Sequence, residues 1–352
     1  MDCFRLRLRT LKGIMEVAST NKQSFQLRKT LIYFITMVSS VSLFLVYTVL
    51  IHQQNPIPEY LRTGKPKPIN PGMQLTIISA YWDIGRFQKG SHLNFSSLNY
   101  EEWASVFYSL MNPLIIYTDS IDFKNIMENL RRNKTEITKI IYMKRSDFWP
   151  FRLTTEIQSV FDQPEYPKYH PNTVLAEYSA IQHAKYAAVG DAIRSNIFES
   201  EYYAWLDIGY FRDIVNDKRY FILTPPENHN KSLLAMNEVY SPNLNSTPEE
   251  IFKENAVWVG GGMFIGTKKV QLAFEKLYKR AVLHFLERKL MNSDQQVIYA
   301  IYSMEGRRSF NPDVELQLYS IKDNTTVTTG NPWFYLGFLC RHVMTNISLS
   351  SQ

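Results

Sequence analysis

Residues 202–210 read YYAWLDIGY. Five aromatic or apolar residues run directly into an acid and a glycine, the pattern of a strand buried on both faces that ends at a loop. In an open α/β sheet, ligands bind outside the carboxyl ends of the strands, so an acid at that position is the first place to look for chemistry. Asp207 suits a divalent cation that bridges a diphosphate, because hard cations take oxygen ligands. Asp-x-Gly offers one carboxylate where Asp-x-Asp would offer two, and Asp213 is the nearest second candidate. The plain alternative is an acid that merely terminates the strand.

Outward from this stretch, strand-like and helix-like segments alternate. Residues 74–81 (QLTIISAY), 113–118 (PLIIYT) and 136–143 (EITKIIYM) read as buried strands, and 257–267 (VWVGGGMFIGT) as another. Helical spacing covers Tyr100–Met111, Ile121–Arg132 (Ile121, Ile126, Met127 and Leu130 on one side), Thr173–Ser195, 268–290, and a segment from Asp294. The alternation predicts an α/β fold with a mostly parallel sheet covered on both faces, with 314–319 as an antiparallel addition.

Other strand ends supply further candidates. After the first strand, Asp83 could bond a base or ribose and Arg86 could pair with a diphosphate; otherwise they are a turn acid and a surface arginine. Asp119 reads as the N-cap of the next helix and stays a donor-site candidate. On the long helix, Tyr178, His183 and Lys185 precede the Asp207 strand; Lys185 could contact a phosphate or simply be solvated. Gly260, Gly261 and Gly262 are costly in a strand unless the backbone is kept bare for a sugar or phosphate, or the strand bends there. They fit neither a phosphate-binding loop nor a dinucleotide fingerprint. Ser293 reads as an N-cap with Gln296 in the capping-box position, and Asp294 could face a cleft as a general base. The sequence has no H-E-x-x-H, no G-x-S-x-G and no kinase signature.

The N-terminus has a different character. Of the 352 residues, 31–51 form an uncharged run, LIYFITMVSSVSLFLVYTVLI, long enough to cross a hydrocarbon core of about 30 Å. Residues 1–30 carry seven Lys/Arg against two acids, whereas the rest of the chain carries 32 against 31. The formal charge of +6 is therefore almost all in the tail, which argues against nucleic-acid binding and puts that tail in the cytosol. No small-x-small site follows the apolar run, so a signal anchor is expected rather than a cleaved leader. The expected organisation is a cytosolic tail (1–30), a transmembrane anchor (31–51), a Pro-rich stem (52–72) and a lumenal domain (73–352). Six Asn-x-Ser/Thr sequons, at Asn94, Asn133, Asn230, Asn245, Asn324 and Asn346, all lie beyond the anchor. Only two cysteines exist, Cys3 and Cys340, which excludes a disulfide scaffold and leaves Cys340 either buried or paired with another chain.

A tail, anchor, stem and α/β body form the layout of Golgi glycosyltransferases. LTIISAYWDIGR, PLIIYTD, YAWLDIGYFRD, VWVGGGMFIGT and SDQQVIYA, in this order, resemble the motifs of the HtrL/WlaTC-type family of glycosyltransferase-like proteins over most of residues 75–340. That resemblance implies a GT-A-like nucleotide-sugar-binding fold. It implies a nucleotide-sugar donor near the first strand (Asp83, Arg86, Asp119, Lys185), Asp207 at the diphosphate, and Mn²⁺ or Mg²⁺ if a metal takes part. Gly260–Gly262 and Asp294 would lie near an acceptor hydroxyl on a lumenal glycoprotein or glycolipid, with Asp294 as base. The rival expectations are a catalytically inactive glycan- or partner-binding protein of the same fold and, more distantly, a sulfotransferase, for which no phosphosulfate loop is present.

Overall fold

The computed structural model describes residues 74–91, 93–322 and 331–344. The chain divides into units 1–67 and 68–352, and every described residue belongs to the second. The tail, the apolar run 31–51, the stem, Cys3 and the sequons at Asn324 and Asn346 lie outside the described residues. Among the described residues no helix is long and apolar enough to cross a membrane.

In chain order the strands are β1 Leu75–Tyr81, β2 Phe87–Lys89, β3 Leu93–Phe95, β4 Leu114–Thr118, β5 Thr138–Tyr142, β6 Tyr202–Leu206, β7 Phe221–Leu223, β8 Leu234–Glu238, β9 Val259–Thr267, β10 Leu316–Tyr319 and β11 Arg341–Val343. The helices are α1 Ser97–Ala104, α2 Ile121–Leu130, α3 Thr154–Phe161, α4 Ala176–Ser195, α5 Pro248–Lys253, α6 Lys268–Glu287, α7 Asp294–Tyr302, α8 Met304–Phe310 and α9 Tyr335–Cys340. Seven strands form the central sheet in the order β10-β8-β9-β6-β1-β4-β5. β1 pairs parallel with β4 and β6, β4 with β5, and β10 with β8. β9 pairs antiparallel with both its neighbours. The sheet is thus mostly parallel, as the alternation predicts. The reversal, however, falls on the glycine-rich strand and not on 314–319, whose β10 runs with β8.

Every residue of β6 is buried. Tyr203 and Trp205 join the apolar cluster on one face of the sheet, and Tyr202, Ala204 and Leu206 join the cluster on the other. This two-sided burial is the pattern of a sheet covered on both faces, and the period of two splits the residues between them. α4 lies in the first cluster, its small residues Ala180, Ala184, Ala187, Ala188 and Ala192 all buried. Close packing explains that composition. A Cβ at Gly190 would come within 2.0 Å of the Glu275 carboxylate of α6, which Arg194 holds at 2.5 and 2.9 Å.

Several local expectations are corrected. The helix expected at Tyr100–Met111 begins at Ser97 behind a Ser96–Asn99 capping box and gives way to a 3₁₀ turn at Ser105–Tyr108. α2 is capped by Ser120, whose hydroxyl accepts from the Phe123 amide at 3.2 Å, and not by Asp119. That cap sets the helix so that Phe123 and Met127 are buried, while Ile121 is 50% exposed. At α7, Ser293 is the N-cap residue, but its hydroxyl donates to the Gln296 side chain at 2.7 Å instead of accepting from the backbone. Cys340 is free and buried.

Candidate active site

At the carboxyl end of β6, Asp207 stands at the edge of a cavity of about 590 Å³, within the usual range for small-molecule sites. Trp82, Tyr100, Trp103, Tyr240, Trp333 and Phe334 supply aromatic walls. The wall carrying Trp333 and Phe334 is tied to the sheet at two points. Asn237, beside a bulge in β8, donates to the Pro332 carbonyl and accepts from the Leu336 amide. The Tyr210 hydroxyl accepts from the Gly337 amide at 3.0 Å.

The polar centre is built around Lys185 of α4. Its ammonium reaches the Gly261 carbonyl at 3.0 Å, Asp207 Oδ1 at 3.2 Å and Asp294 Oδ2 at 3.4 Å. Asp207 Oδ2 is also within 3.4 Å, so the three hydrogens of the ammonium face one carbonyl and two carboxylates. The side chains of Lys185 and Asp294 are 4% and 2% exposed, whereas that of Asp207 is 39% exposed. Lys185, expected either to contact a phosphate or to be solvated, is therefore an internal counter-cation, and Asp207 is the open member of the group. Trp205 Nε1 donates to Asp207 Oδ1 at 2.6 Å, which fixes one oxygen against the strand. Asp294 also accepts from the Tyr186 hydroxyl at 3.3 Å.

Burial and charge act against each other here. Burial pulls the Lys185 ammonium down, but Asp207 and Asp294 outweigh it, and its pKa stands above the ordinary lysine value. Burial pushes the Asp294 carboxyl above the usual carboxylate range; Lys185 and Tyr186 oppose that shift and the charge of Asp207 adds to it. His183, two residues before Lys185 on α4, is lowered to about 3 by burial and then by Lys185. It is a neutral packing residue, bonded to Tyr278 at 2.7 Å and Ser179 at 3.2 Å.

The glycines of β9 are explained by these neighbours. A Cβ on Gly261 would come within 2.0 Å of Asp294 Oδ2, and one on Gly262 within 3.0 Å of the Tyr210 ring. The room beside Gly261 is filled by the protein's own carboxylate. Only Gly262 of the three lines the cavity.

The structure brings Asp207, Asp294, Lys185 and Gly262 together, with Tyr178 also on the cavity wall. It places Asp83, Asp119 and Arg86 elsewhere. Asp119 Oδ1 accepts from the Asp83 amide at 3.0 Å, and its Oδ2 pairs with Arg145 at 2.5 Å. Arg145 also donates to the Asp83 carbonyl at 2.6 Å. This knot, like the exposed Arg86 and Asp213, does not line the cavity. Two cavity cations escaped the sequence reading. Arg212 lies inside the YAWLDIGYFRD stretch, its guanidinium 5.5 Å from the Trp103 ring and 4.7 Å from Phe334. Lys89 arrives on the β2–β3 hairpin, and nothing in its local sequence marks it.

The donor set does not fit the expected Mn²⁺ or Mg²⁺. Among the described residues no group of three or more His, Cys, Asp or Glu could hold a metal ion, and the two carboxylates that converge are bridged by Lys185.

A family model described as "Bacterial protein of unknown function (HtrL_YibB)" matches residues 73–307, more than half of the chain. No curated protein matches. Among solved structures, the apo form of mouse xyloside xylosyltransferase 1 is similar at 11% identity and a TM-score of 0.36, covering 70% of this chain and 85% of that one. Core-mannan synthase A (CmsA/Ktr4) from Aspergillus fumigatus, in its Mn/GDP form, is similar at 10% identity and 0.37, covering 72% and 74%. The 4-diphosphocytidyl-2C-methyl-D-erythritol synthase from Anaerococcus prevotii is similar at 8% and 0.32, covering 70% and 87%. These TM-scores are all below 0.5.

Proposed function

The chain belongs to the HtrL_YibB family, and we propose that this member is a GT-A-like glycosyltransferase that moves a sugar from a nucleotide-sugar donor to a hydroxyl of a lumenal glycoprotein or glycolipid. One observation carries this reading. An open carboxylate, Asp207, is held at the end of a buried strand, against a lysine, at the edge of an aromatic-walled cavity of about 590 Å³.

Aromatic faces suit sugar and base rings, and cavity cations suit a diphosphate. In a single displacement the acceptor oxygen attacks the anomeric carbon while the bond from that carbon to the diphosphate breaks, and the electron pair leaves with the diphosphate. The acceptor proton passes to Asp207, the carboxylate that solvent and substrate can reach. Asp294, buried against Lys185 and Tyr186, positions that lysine rather than touching the acceptor. Aligning the two reactants in one cavity removes much of the entropic cost of their encounter.

We also propose that residues 31–51 anchor the chain in the Golgi membrane, or that of the endoplasmic reticulum, with the domain in the lumen. The four sequons among the described residues, Asn94, Asn133, Asn230 and Asn245, are all exposed and open to glycosylation.

The test is to incubate the chain with a panel of nucleotide sugars and measure nucleoside diphosphate release, with and without glycan acceptors. One donor is expected to turn over. Asp207→Asn should lower the rate about 100-fold or more, the usual worth of a general base, in protein that circular dichroism shows to be folded. Silence across the panel from folded protein would move the assignment to a glycan-binding role.

A further inference from the structure

A donor diphosphate carries charge that the site has to meet, and transferases of nucleotide sugars commonly meet it with a divalent cation. Here the place between the two converging carboxylates is already taken. Lys185 donates to the Gly261 carbonyl, Asp207 and Asp294, so its three hydrogens are committed and its charge lies where a cation would sit. A second cation between those carboxylates would meet the Lys185 ammonium at close range and be repelled by it. Asp213, the nearest candidate for a further ligand in sequence, is exposed and outside the cavity.

Other cations line the same cavity. Lys89 is 5.6 Å from the Phe95 ring, and Arg212 is held between Trp103 and Phe334. Among the described residues neither is ion-paired with a carboxylate. The cavity is therefore lined by three cations, Lys89, Lys185 and Arg212, and two carboxylates, Asp207 and Asp294. One of those cations is spent on the carboxylates. The other two are free to meet an anion, and a guanidinium offers the forked donor geometry that matches phosphate oxygens.

We propose that this site binds the diphosphate of its donor without a divalent cation, with Lys185 as the resident counter-cation of Asp207 and Asp294 and with Lys89 and Arg212 as the diphosphate-binding pair. This rests on the glycosyltransferase reading and names how its donor is held.

The experiment measures equilibrium binding of inorganic pyrophosphate, UDP, GDP and CDP to the full-length chain, in EDTA and again in Mn²⁺. Free Mn²⁺ is followed by its electron paramagnetic resonance signal. Pyrophosphate and at least one nucleoside diphosphate should bind equally well in both conditions, with no stoichiometric Mn²⁺ uptake by the protein alone. Lys89→Gln and Arg212→Gln should each weaken binding about tenfold or more, the worth of a charged hydrogen bond. Binding that requires Mn²⁺ would overturn the proposal and leave the glycosyltransferase reading standing. Metal-free binding unchanged in both variants would overturn the assignment of the pair. No binding of any of these ligands in either condition would overturn the proposal and the donor reading together.

Discussion

Two clusters of the same composition mark the carboxyl ends of the parallel strands, each with two aspartates and one cation. Beside β1 and β4, Asp83 and Asp119 gather around Arg145; beside β6, Asp207 and Asp294 gather around Lys185. The first has its arginine side chain 32% exposed and uses backbone groups as much as charge. The second has its lysine 4% exposed and gathers one carbonyl and two carboxylates around one ammonium. Solvent makes the difference. Water reaches the arginine of the first cluster and weakens its pairing, whereas the second forms a unit whose lysine and Asp294 are both buried, so that losing one leaves a buried charge.

Removing the buried cation should give the largest effect. Lys185→Met keeps volume but leaves Asp294 unpaired, and should cost about 3–5 kcal/mol. Thermal unfolding would read that as a fall of about 10 °C in Tm for a domain of this size. A Tm unchanged within error would show that the buried cluster is no more a unit than the exposed one.

An alkaline titration sharpens the contrast. The folded-state pKa of Lys185 lies above its unfolded value of 10.5. The native state therefore holds a proton that the unfolded state has lost, and stability falls as pH rises past 10.5 through the folded value. That contribution is fully present below 10.5. Tm measured between pH 9 and pH 12 (about the range where lysine titrates) should show the fall in the native chain and lose the Lys185 component in Lys185→Met.

The smallest effect belongs to the exposed knot. Arg145→Ala should cost about 1 kcal/mol or less, and raising the salt concentration should shrink the difference further. A loss comparable to that of Lys185→Met would mean that the Asp83–Asp119 knot is a structural centre in its own right.

Much of the sheet was legible because burial on both faces writes itself as continuous apolar runs, as in LTIISAY and YYAWL. The direction of β9 was not, since a strand reads the same in either direction and only its neighbours decide. Asp207 stood out as an acid after a buried strand. The burial of Lys185 did not, because its helix is wrapped on nearly every side, and a lysine among alanines reads as a solvated face. The reason for Gly261 was equally hidden: its close neighbour, Asp294, comes from a helix more than thirty residues later. Lys89 and Arg212 reach the cavity through tertiary packing, which no local pattern encodes.

The reversed strand has a consequence for how the chain is made. Synthesis runs from the N-terminus, so β1, β4, β5 and β6 can assemble as soon as residue 206 is available, leaving the outer edge of β6 unpaired. Neither β7 nor β8 closes that edge; only β9 does, by entering between β6 and β8 from the opposite direction. Until residue 267 has emerged, the nascent domain presents a row of open hydrogen-bonding groups beside Trp205, a template for wrong pairing. A ribosome stalled before that point should hold a species that needs a chaperone, and one stalled after it should hold a sheet in which β6 is paired on both sides.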